Sequence, residues 1–500
     1  MHPSSAPVAH PDRAPVTAEA LAGVWAAVLQ VPGDGIGAHD DFFDLGGHSL
    51  AVAELGTRVS ETFGVDVPLT ELVARPTPAG HRDIVRGARH GRLRDTRVDL
   101  HAEAGLDADI RPRATGGWRA LTEAGVILLT GATGFLGGFL LAALLRSTPA
   151  RVRCLVRPTD DGGPAHRAAA RRLRAALDGR GLWRAEHAGR VTALPGDLGE
   201  PLLGMAEAAF ESLAGEVDAI VHAGAQVNLM YPYTALRDVN VGGTREVLRL
   251  ACCGGATPVH HVSTSGVLPP SGDRWREDAP LDEVAGDLAD GYAQSKWVAE
   301  QLVHEAGRRG LPVWVYRPGT ISGHSATGSA NARDLLGALI SESLHLGCVP
   351  DVDGWYAEMT PVDYVSDAIS RLAADACSGD RVFHLSDPDP LPARTLFHRL
   401  AGLGYRTEHV DWDEWVERWR VRRARDAGSG PADVLRGGMP SRDDLRAVTV
   451  LDDRATRPHL ERHGLRRPRI DGDLLAAYTR HFHEEGWLDT PPGDRHGSAE

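Results

Sequence analysis

The segment that most constrains the fold is a strand, a glycine-rich turn and a helix in direct succession. Residues 126–130 (VILLT) form an apolar run typical of a parallel strand buried on both faces, and the sequence GATGFLG follows at 131–137 before an apolar helical stretch. This order is the setting of a dinucleotide-binding turn. Gly131 permits the turn, Gly134 lets the backbone approach a pyrophosphate, and Gly137 lets the helix pack closely on the strand. The contacts predicted from this turn are Gly131, Thr133, Gly134, Phe135, Leu136 and Gly137.

The end of the second predicted strand indicates which dinucleotide is bound. Residues 152–156 are followed by Arg157, where an NADH-binding unit usually has an acidic residue that holds the ribose 2′-hydroxyl. Because an arginine accommodates a 2′-phosphate instead, we predict NADPH as the cofactor. Further cofactor contacts are predicted at the ends of later strands and in the segment that opens one helix: Asp197, Leu198, Ala223, Gly224, Ala225, Asn240, Pro318 and Gly319.

Lys296 is the only lysine among the 54 lysines and arginines of the chain. It lies four residues after Tyr292, so on a helix the two side chains share one face. An ammonium beside a phenol lowers the pKa of the phenol, which makes Tyr292 a better proton donor. Thr264, predicted at a strand end, completes the candidate catalytic set, whereas His260 and His261 are interpreted as strand residues. The alternative is a surface lysine near a half-buried tyrosine, since this spacing alone is weak evidence.

The first hundred residues predict a small helical domain with one special serine. Apolar residues recur at helical spacing from Leu21 to Leu29, and a second amphipathic helix is predicted to begin at Ser49, soon after Gly46 and Gly47. At a helix N-terminus the free N–H groups and the helix dipole favour a phosphate group. The alternative is an ordinary N-cap serine, which is the commonest use of serine at such a position.

Bulk properties exclude several classes of function. Five hundred residues predict two or three domains, and the net charge of −14 disfavours nucleic acid and anionic membranes as partners. The five cysteines are scattered without a Cys-x-x-Cys pair, so neither a metal site nor a disulfide framework is predicted. No apolar run reaches transmembrane length and no signal peptide is recognisable, so we expect a cytoplasmic protein.

The sequence around Ser49 resembles a known family. Residues 41–50 (DFFDLGGHSL) match nearly residue for residue the motif of the peptidyl carrier proteins of nonribosomal peptide synthetases, and the likeness extends over about residues 17–88. It implies a 4′-phosphopantetheine arm on Ser49, attached by a phosphopantetheinyl transferase. Such an arm holds an acyl or peptidyl group as a thioester.

A second resemblance covers most of the remaining chain, from about Asp99 to Pro491. The glycine turn together with Thr264, Tyr292 and Lys296 resembles the extended short-chain dehydrogenase/reductases. Within them, the terminal thioester reductase domains of nonribosomal peptide synthetases and carboxylic acid reductases are similar at 128–137, 154–157, 196–198, 240–244, 262–264 and 360–365. The resemblance implies reductive release of the carrier-bound thioester as an aldehyde, with a further reduction to an alcohol left open.

The resemblance also implies a role for each candidate residue. NADPH gives hydride to the carbonyl carbon, Tyr292 donates a hydrogen bond or proton to the developing oxyanion with help from Thr264, and Lys296 holds the nicotinamide ribose. Because no adenylation or condensation domain is recognisable, an upstream enzyme loads the carrier in trans, or the chain is part of a larger synthetase. Two alternatives remain: a carrier fused to a sugar-nucleotide epimerase or dehydratase, or a carrier fused to an inert Rossmann module that only docks.

Together these features predict a multidomain chain. A small all-α four-helix carrier bundle is followed by an α/β Rossmann domain with a doubly wound parallel sheet and by a mostly helical C-terminal substrate-binding subdomain. The predicted boundaries are 1–14 for a disordered leader, 15–88 for the carrier, 89–96 for a linker, 97–325 for the reductase domain, 326–491 for the substrate subdomain (with returning Rossmann elements near 360–386) and 492–500 for a flexible tail.

Overall fold

The computed structural model describes residues 15–488 except for 30, 33–34, 44, 46, 48, 66, 68, 90–97, 114–119, 160–162, 230, 289, 375–380, 424–430 and 438. The chain divides into two compact units, one formed mainly by residues up to Val98 and the other mainly by residues from Asp99 onward. The predicted leader, nearly all of the predicted linker and the predicted tail lie outside the described residues, so those three predictions stay predictions.

The smaller unit contains the four helices that the sequence pattern predicts. They are α1 (Ala18–Leu29), α2 (Ser49–Phe63), α3 (Leu69–Ala74) and α4 (Pro78–Arg89). Apolar side chains at helical spacing form the core, in which Leu21, Trp25, Leu55, Phe63 and Val85 are fully buried. The prediction of a four-helix carrier bundle is therefore confirmed.

One polar side chain lies inside this bundle. The Nδ1 atom of His81 on α4 accepts a hydrogen bond from the indole Nε1–H of Trp25 on α1 (3.0 Å), so its Nε2–H donates to the carbonyl oxygen of Leu72 on α3 (2.7 Å). Burial lowers the pKa of His81 to about 4. The neutral imidazole therefore joins three of the four helices.

Strands of the larger unit form one central sheet and three small two-stranded sheets. The strands are β1 (Val126–Thr130), β2 (Arg151–Val156), β3 (Val191–Pro195), β4 (Ala219–His222), β5 (Val259–Val262), β6 (Val313–Pro318), β7 (Ile321–Ser322), β8 (Cys348–Pro350), β9 (Tyr356–Ala357), β10 (Thr360–Pro361), β11 (Arg381–Leu385), β12 (Leu391–Pro392) and β13 (Glu408–Val410).

The central sheet has the order β11-β6-β5-β4-β1-β2-β3, with every neighbouring pair parallel. The small sheets pair β7 with β10, β8 with β13 and β9 with β12. Strand order reverses between β1 and β4, and ligands of such sheets bind at the carboxyl ends of the strands at this reversal. The predicted doubly wound parallel sheet is confirmed.

Helices connect the strands and make up most of the C-terminal part of the larger unit. They are α5 (Leu100–Glu103), α6 (Phe135–Ser147), α7 (Ala165–Asp178), α8 (Glu207–Glu216), α9 (Tyr233–Arg237), α10 (Gly243–Cys253), α11 (Gly291–Arg308), α12 (Leu335–Leu346), α13 (Val362–Ala374), α14 (Ala393–Ala401), α15 (Trp412–Arg423), α16 (Ala432–Gly437), α17 (Arg442–Arg446), α18 (Arg457–Arg462) and α19 (Gly472–Glu484).

Helix α6, which follows the glycine turn, is apolar on nearly every side because it is enclosed. Leu140 and Leu144 join the core that covers β1, while a hydrogen bond between the hydroxyls of Ser147 and Ser370 (2.6 Å) ties the end of α6 to α13. The helix is thus fixed against the sheet, and its N-terminus points to the carboxyl edge. No helix in the described part of the chain is long and apolar enough to span a membrane.

Candidate active site and carrier serine

The glycine turn is built as the sequence predicts. Gly131, directly after β1, has a φ of +79°, and a Cβ there would lie 2.7 Å from the backbone nitrogen of Gly224 and 2.8 Å from the carbonyl group of Ala223. A Cβ on Gly137 would lie 2.0 Å from the carbonyl oxygen of Gly131. Both positions therefore require glycine, one for its left-handed backbone and close approach and the other for helix packing.

The N-terminus of α6 is free to receive an anion. Gly134 is its N-cap, is exposed and offers no side chain that caps the first turn of this 13-residue helix. Thr133, Phe135 and Leu136 are half-buried around it. Uncapped N–H groups at the positive end of a helix dipole fit a pyrophosphate, so the residues present are consistent with a nicotinamide dinucleotide.

The edges of β2 and β3 hold the residues predicted to contact the adenosine part. Arg157 is exposed at the end of β2, and its carbonyl oxygen accepts a hydrogen bond from Arg172 of α7 (2.8 Å). A carboxylate oxygen of Asp197, after β3, accepts from the backbone N–H of Gly199 (3.0 Å). Leu198 packs against Gly224, next to the glycine turn. A Cβ on Gly224 would lie 2.6 Å from Cδ1 of Leu198.

A chain of hydrogen bonds fixes the loop that follows β4, where Ala223, Gly224 and Ala225 lie. The N–H of Gly224 donates to the hydroxyl of Thr130 (2.9 Å), and this hydroxyl donates to Nδ1 of His222 (2.8 Å). On the other side of the imidazole, Nε2–H of His222 donates to the hydroxyl of Thr244 (3.0 Å). That hydroxyl in turn donates to the carbonyl oxygen of Asn240 (2.7 Å). Burial and then the charge of Lys296 lower the pKa of His222 to about 3. The imidazole is therefore neutral, as this arrangement of donors requires.

The sequence analysis missed Thr130, His222 and Thr244. A polar residue at the end of an otherwise apolar strand was the available signal, because a buried polar group needs a partner. Thr130 and His222 are 92 positions apart in the chain, so the sequence offered no way to pair them.

Asn240 lies just before α10, in the segment predicted to open a helix. It lies in a π-helical segment (Asp238–Gly242) and is buried. Its amide oxygen accepts from the N–H of Gln226 (2.7 Å), and its amide nitrogen donates to the carbonyl oxygen of Gln226 (3.0 Å) and to the hydroxyl of Ser295 (2.9 Å). These bonds use both amide hydrogens and link the loop after β4 to α11. The predicted cofactor contact of Asn240 stays a prediction.

Helix α11 carries Tyr292 and Lys296, and Lys296 is turned into the protein. Its ammonium donates to the carbonyl oxygen of Val262 (2.9 Å) and contacts Nε2 of His261 (3.4 Å) at the end of β5. Only 3% of the residue is exposed, which rules out the surface-lysine alternative. Burial lowers the pKa of Lys296 to about 8, although the carboxylate of Glu300 acts in the opposite direction.

The expected effect of Lys296 on Tyr292 is wrong for this structure. Burial raises the pKa of Tyr292, and the carboxylate of Asp290, the N-cap of α11, raises it further. Asp290 accepts a hydrogen bond from the N–H of Ala293 (2.8 Å), which keeps its charge near the phenol. The sequence supplied the spacing of the tyrosine and the lysine but not the desolvation of the phenol or the effect of Asp290 on it. The phenol therefore keeps its proton at neutral pH.

Thr264 lies directly after β5 and faces the start of α11. Its hydroxyl oxygen accepts from the N–H of Gly266 (3.2 Å), and a Cβ on Gly266 would lie 3.7 Å from Thr264 and 3.9 Å from Ala293. The turn that holds Thr264 therefore packs on the helix turn that holds Tyr292.

Two further predicted contacts follow β6. Pro318 is the last residue of this strand, and a Cβ on Gly319 would lie 2.4 Å from the carboxylate of Glu358. This buried carboxylate accepts from the backbone N–H groups of Thr320 and Asp387. Glycine is required at 319 because the carboxylate lies directly against its backbone.

In the smaller unit, α2 begins at Ser49, as predicted. The residues just before it, Gly46 and His48, and the side chain of Ser49 lie outside the described part of the structure. A Cβ on Gly47 would lie 2.2 Å from the ring of Phe42, and the N–H of Gly47 donates to the carbonyl oxygen of Phe42 (2.8 Å). The glycine thus lets the chain fold tightly over the aromatic core just before the helix.

The two strand histidines lie where the sequence interpretation puts them. His260 and His261 are both buried on β5, and Nδ1 of His260 is 3.0 Å from the hydroxyl of Tyr316. Among the described residues, no group of three or more His, Cys, Asp or Glu side chains is arranged to hold a metal ion.

Comparison with protein families finds two matches. Residues 19–80 match the phosphopantetheine attachment site family, and residues 129–369 match the family described as male sterility protein. The first match covers Ser49 and the second covers the glycine turn, Tyr292 and Lys296. The carrier family indicates 4′-phosphopantetheine, and the reductase family indicates a nicotinamide cofactor.

Comparison with individual proteins gives the same division. Glycine betaine reductase ATRR of Emericella nidulans is 51% identical over 491 residues, which are 96% of this chain and 38% of that protein. A component of the linear gramicidin synthase of Brevibacillus parabrevis is 36% identical over 93% of this chain and 9% of its own length. The chain thus spans less than half the length of these curated relatives.

Two solved structures are similar in fold. The terminal R domain of the myxalamid PKS-NRPS pathway is 39% identical with a TM-score of 0.73, over 79% of this chain and 100% of that domain. A thiolation-reductase di-domain from an archaeal nonribosomal peptide synthetase, 20% identical with a TM-score of 0.64, covers 94% of this chain and 98% of its own length and shows the shared fold alone. The chain belongs to the family of carrier-linked terminal reductase domains of nonribosomal peptide synthetases.

Proposed function

We propose that this chain releases an acyl or peptidyl group from its own carrier as an aldehyde, by reduction of the thioester with NADPH. The observation that carries the proposal is the buried ammonium of Lys296. This residue lies on the helix that also carries Tyr292, and its ammonium donates a hydrogen bond to the carbonyl oxygen of Val262 at the end of β5. Val262 lies two residues before Thr264, so Lys296 binds the strand end that Thr264 follows, and Tyr292 lies one turn before Lys296 on the same helix. That strand end belongs to a parallel sheet whose ligands bind at this edge.

The cofactor would be held by the backbone of the glycine turn, with Gly134 opening α6 toward the pyrophosphate. Arg157, exposed at the end of β2, supports NADPH over NADH because its guanidinium suits a 2′-phosphate. Lys296 would hydrogen-bond the nicotinamide ribose. When bound, NADPH supplies the hydride that reduces the thioester carbonyl carbon.

The protein side chains would supply the proton and the stabilisation of charge. Tyr292 keeps its proton at neutral pH and would donate it to the carbonyl oxygen as negative charge develops there. The hydroxyl of Thr264 would donate a second hydrogen bond to the same oxygen. Overall the thioester takes up one hydride and one proton, its C–S bond breaks with the electron pair on sulfur, and an aldehyde and a free thiol result.

The carrier domain indicates which partner enzymes the chain would need. A phosphopantetheinyl transferase would attach the arm to Ser49, and an upstream adenylation or condensation enzyme would load it in trans or as part of a longer synthetase. We place the reaction in the cytoplasm, since the described cysteines Cys154, Cys252, Cys253 and Cys348 are all free thiols. Tethering makes delivery of the acyl group effectively intramolecular.

The acyl group we propose to test first is glycine betaine. The relative from Emericella nidulans that is 51% identical carries the name glycine betaine reductase. Asp290, the N-cap of α11, is an acidic residue at the start of the helix that carries Tyr292. A negative charge beside the reacting centre favours a trimethylammonium group over an anionic acyl group.

The test uses the full chain with Ser49 loaded by a phosphopantetheinyl transferase from acyl-coenzyme A donors, with adenosine 3′,5′-bisphosphate as the leaving group. NADPH consumption and aldehyde or alcohol release are measured for glycine betaine, its uncharged isostere tert-butylacetate, and a panel of aminoacyl and fatty acyl groups. We expect oxidation of NADPH matched by product for at least one acyl group, none with Ser49→Ala, and much slower turnover with Tyr292→Phe. Absence of turnover with every acyl group would overturn the reductase assignment, whereas turnover of tert-butylacetyl equal to that of glycine betaine would overturn only the cationic substrate.

A further inference from the structure

A buried carboxylate lies one helical turn beyond Lys296. Glu300 is completely buried on α11, and its two oxygens accept hydrogen bonds from Nη2 and Nε of Arg317 (2.6 and 3.0 Å), from the hydroxyl of Ser263 (2.5 Å) and from Nε2 of His304 (3.2 Å). Burial alone would raise the pKa of Glu300, but Arg317 and His304 hold it well below its ordinary value. The residue is therefore charged.

The neighbours of Glu300 connect it to the candidate catalytic residues. Ser263 directly precedes Thr264, and Val262, whose carbonyl oxygen binds Lys296, precedes Ser263. Helix α11 is thus joined to the end of β5 at two adjacent residues, by its lysine and by its glutamate. These two bonds determine where Thr264 stands relative to Tyr292 on the same helix.

The guanidinium on the far side of Glu300 is itself held in place. Arg317 is on β6, is 1% exposed, and its Nη1 donates to Nε2 of His384 on β11 (3.2 Å). His384 is a neutral imidazole whose Nδ1–H donates to the carbonyl oxygen of Asp452 (2.8 Å). Burial and then the charge of Arg317 lower the pKa of His384 to about 4. Arg317 on β6 and His304 on α11 thus bind the glutamate directly, and His384 on β11 acts on it only through Arg317.

The charges around Lys296 give Glu300 a second effect. His261 on β5 and His222 on β4 face the amine, and burial keeps both imidazoles neutral by lowering the pKa of each. Glu300 is the charged group that raises the pKa of Lys296 against the effect of burial. Its negative charge therefore opposes the loss of the lysine proton in a site where desolvation favours that loss.

We propose that Glu300 is a positioning residue of the reductase site. Its buried carboxylate fixes the strand end that carries Thr264 against the helix that carries Tyr292, and it maintains the positive charge of Lys296. The kinetic part of this inference rests on the proposed function, whereas the charge part concerns the protein without substrate. It requires no contact between Glu300 and either ligand.

The charge part is tested directly because the chain has a single lysine. The full-length protein is labelled with lysine carrying 13C at Cε, so that one side-chain resonance reports the protonation of Lys296 as pH is varied. We expect a midpoint near 8 in the native chain and a midpoint about one unit lower in Glu300→Gln, which removes the charge. The matched control is Glu305→Gln, on the same helix but paired with Arg308 and Arg309, which should leave the midpoint unchanged.

The positioning part is tested by turnover of the loaded chain. Ser263→Ala removes one hydrogen bond without changing any charge, so it should lower kcat about ten-fold, leave the NADPH dissociation constant unchanged and keep the lysine midpoint. Glu300→Asp keeps the charge but shortens the reach to Ser263, so it should reproduce the loss of kcat with the native midpoint. Glu300→Gln leaves Arg317 unpaired and could therefore fail to fold. In that case the double variant Glu300→Leu, Arg317→Met is used, because it replaces both buried charges with apolar side chains. It is also expected to lower the titration midpoint of Lys296.

The outcomes separate this inference from the proposed function. A native chain that turns over no acyl group overturns the proposed function, while the lysine titration still tests the charge effect of Glu300. A lysine midpoint that is the same in the native chain and in the glutamate variants overturns the charge part. Native kcat in both Ser263→Ala and Glu300→Asp overturns the positioning part.

Discussion

Mild acid is expected to destabilise the carrier unit through His81. The folded bundle lowers the pKa of this histidine from about 6.5 to about 4, so the unfolded chain binds the proton more tightly. The stabilisation is therefore complete above pH 6.5 and is lost as the pH falls toward the folded value. Between pH 7 and pH 5 this linkage lowers the free energy of unfolding by about 2 kcal/mol. A domain of this size has only about 3–5 kcal/mol in total, so the loss is large.

The measurement uses urea unfolding of residues 1–98, which contain every buried residue of the carrier core, from Val16 to Val85. Trp25 is the only tryptophan in these residues and donates its hydrogen bond to His81, so its fluorescence reports on the site. The control is His81→Gln, in which a neutral amide supplies a donor and an acceptor but does not titrate. Carboxylates such as Glu19 and Asp83, whose pKa values are lowered by hydrogen bonds, contribute equally to both proteins. Equal pH slopes in the native unit and in His81→Gln would refute the reasoning.

Four further outcomes test the reductase unit. Tyr292→Phe should lower kcat about 10²- to 10⁴-fold with unchanged NADPH affinity by fluorescence titration, and native turnover would remove its acid role. Lys296→Arg should lose both affinity and turnover despite its charge, since the site is buried and compact; equal kinetics would contradict this. Gly137→Ala should lower Tm strongly, because its Cβ would lie 2.0 Å from the carbonyl oxygen of Gly131. Gly134→Ala, whose Cβ would lie 3.2 Å from the same oxygen, should fold normally and weaken NADPH binding. A larger loss of Tm in Gly134→Ala than in Gly137→Ala would be inconsistent with the turn. Arg157→Ala should reduce the preference for NADPH over NADH about ten-fold in kcat/KM, and an unchanged ratio would exclude the 2′-phosphate contact.

The parts of the fold that the sequence could predict are those specified by neighbouring residues. An apolar run, a glycine turn and an apolar helix determine β1 and α6, because no other local structure satisfies that order of burial and backbone freedom. In the same way Ser49 was predicted to begin α2 from the residues around it, and the helix begins there. The sequence also supplied the spacing of Tyr292 and Lys296, because a single helix carries both.

Electrostatic relations between distant residues were beyond the reach of the sequence. The phenol of Tyr292 was expected to lose its proton more easily beside Lys296, but burial and Asp290 act the other way. Asn240 hydrogen-bonds to Gln226 and Ser295, which are 14 and 55 residues away in the chain, and the sequence predicted neither bond. Such results depend on how deeply each group is desolvated and on which partners the sheet brings near, and neither is encoded in local spacing.

The environment of Lys296 gives a physical reason for its being the only lysine. The amine lies between a carbonyl oxygen and an imidazole nitrogen, at 2.9 and 3.4 Å, where a compact ammonium with movable donors fits and a planar guanidinium with five fixed N–H groups does not. Arginine would also remain charged at any depth, whereas burial brings the pKa of this lysine to about 8 with Glu300 opposing the shift. A group with that pKa is mostly charged at neutral pH. The contacts and the pKa of this site thus suit an ammonium better than a guanidinium, which gives a reason why a chain that uses arginine everywhere else has kept one lysine here.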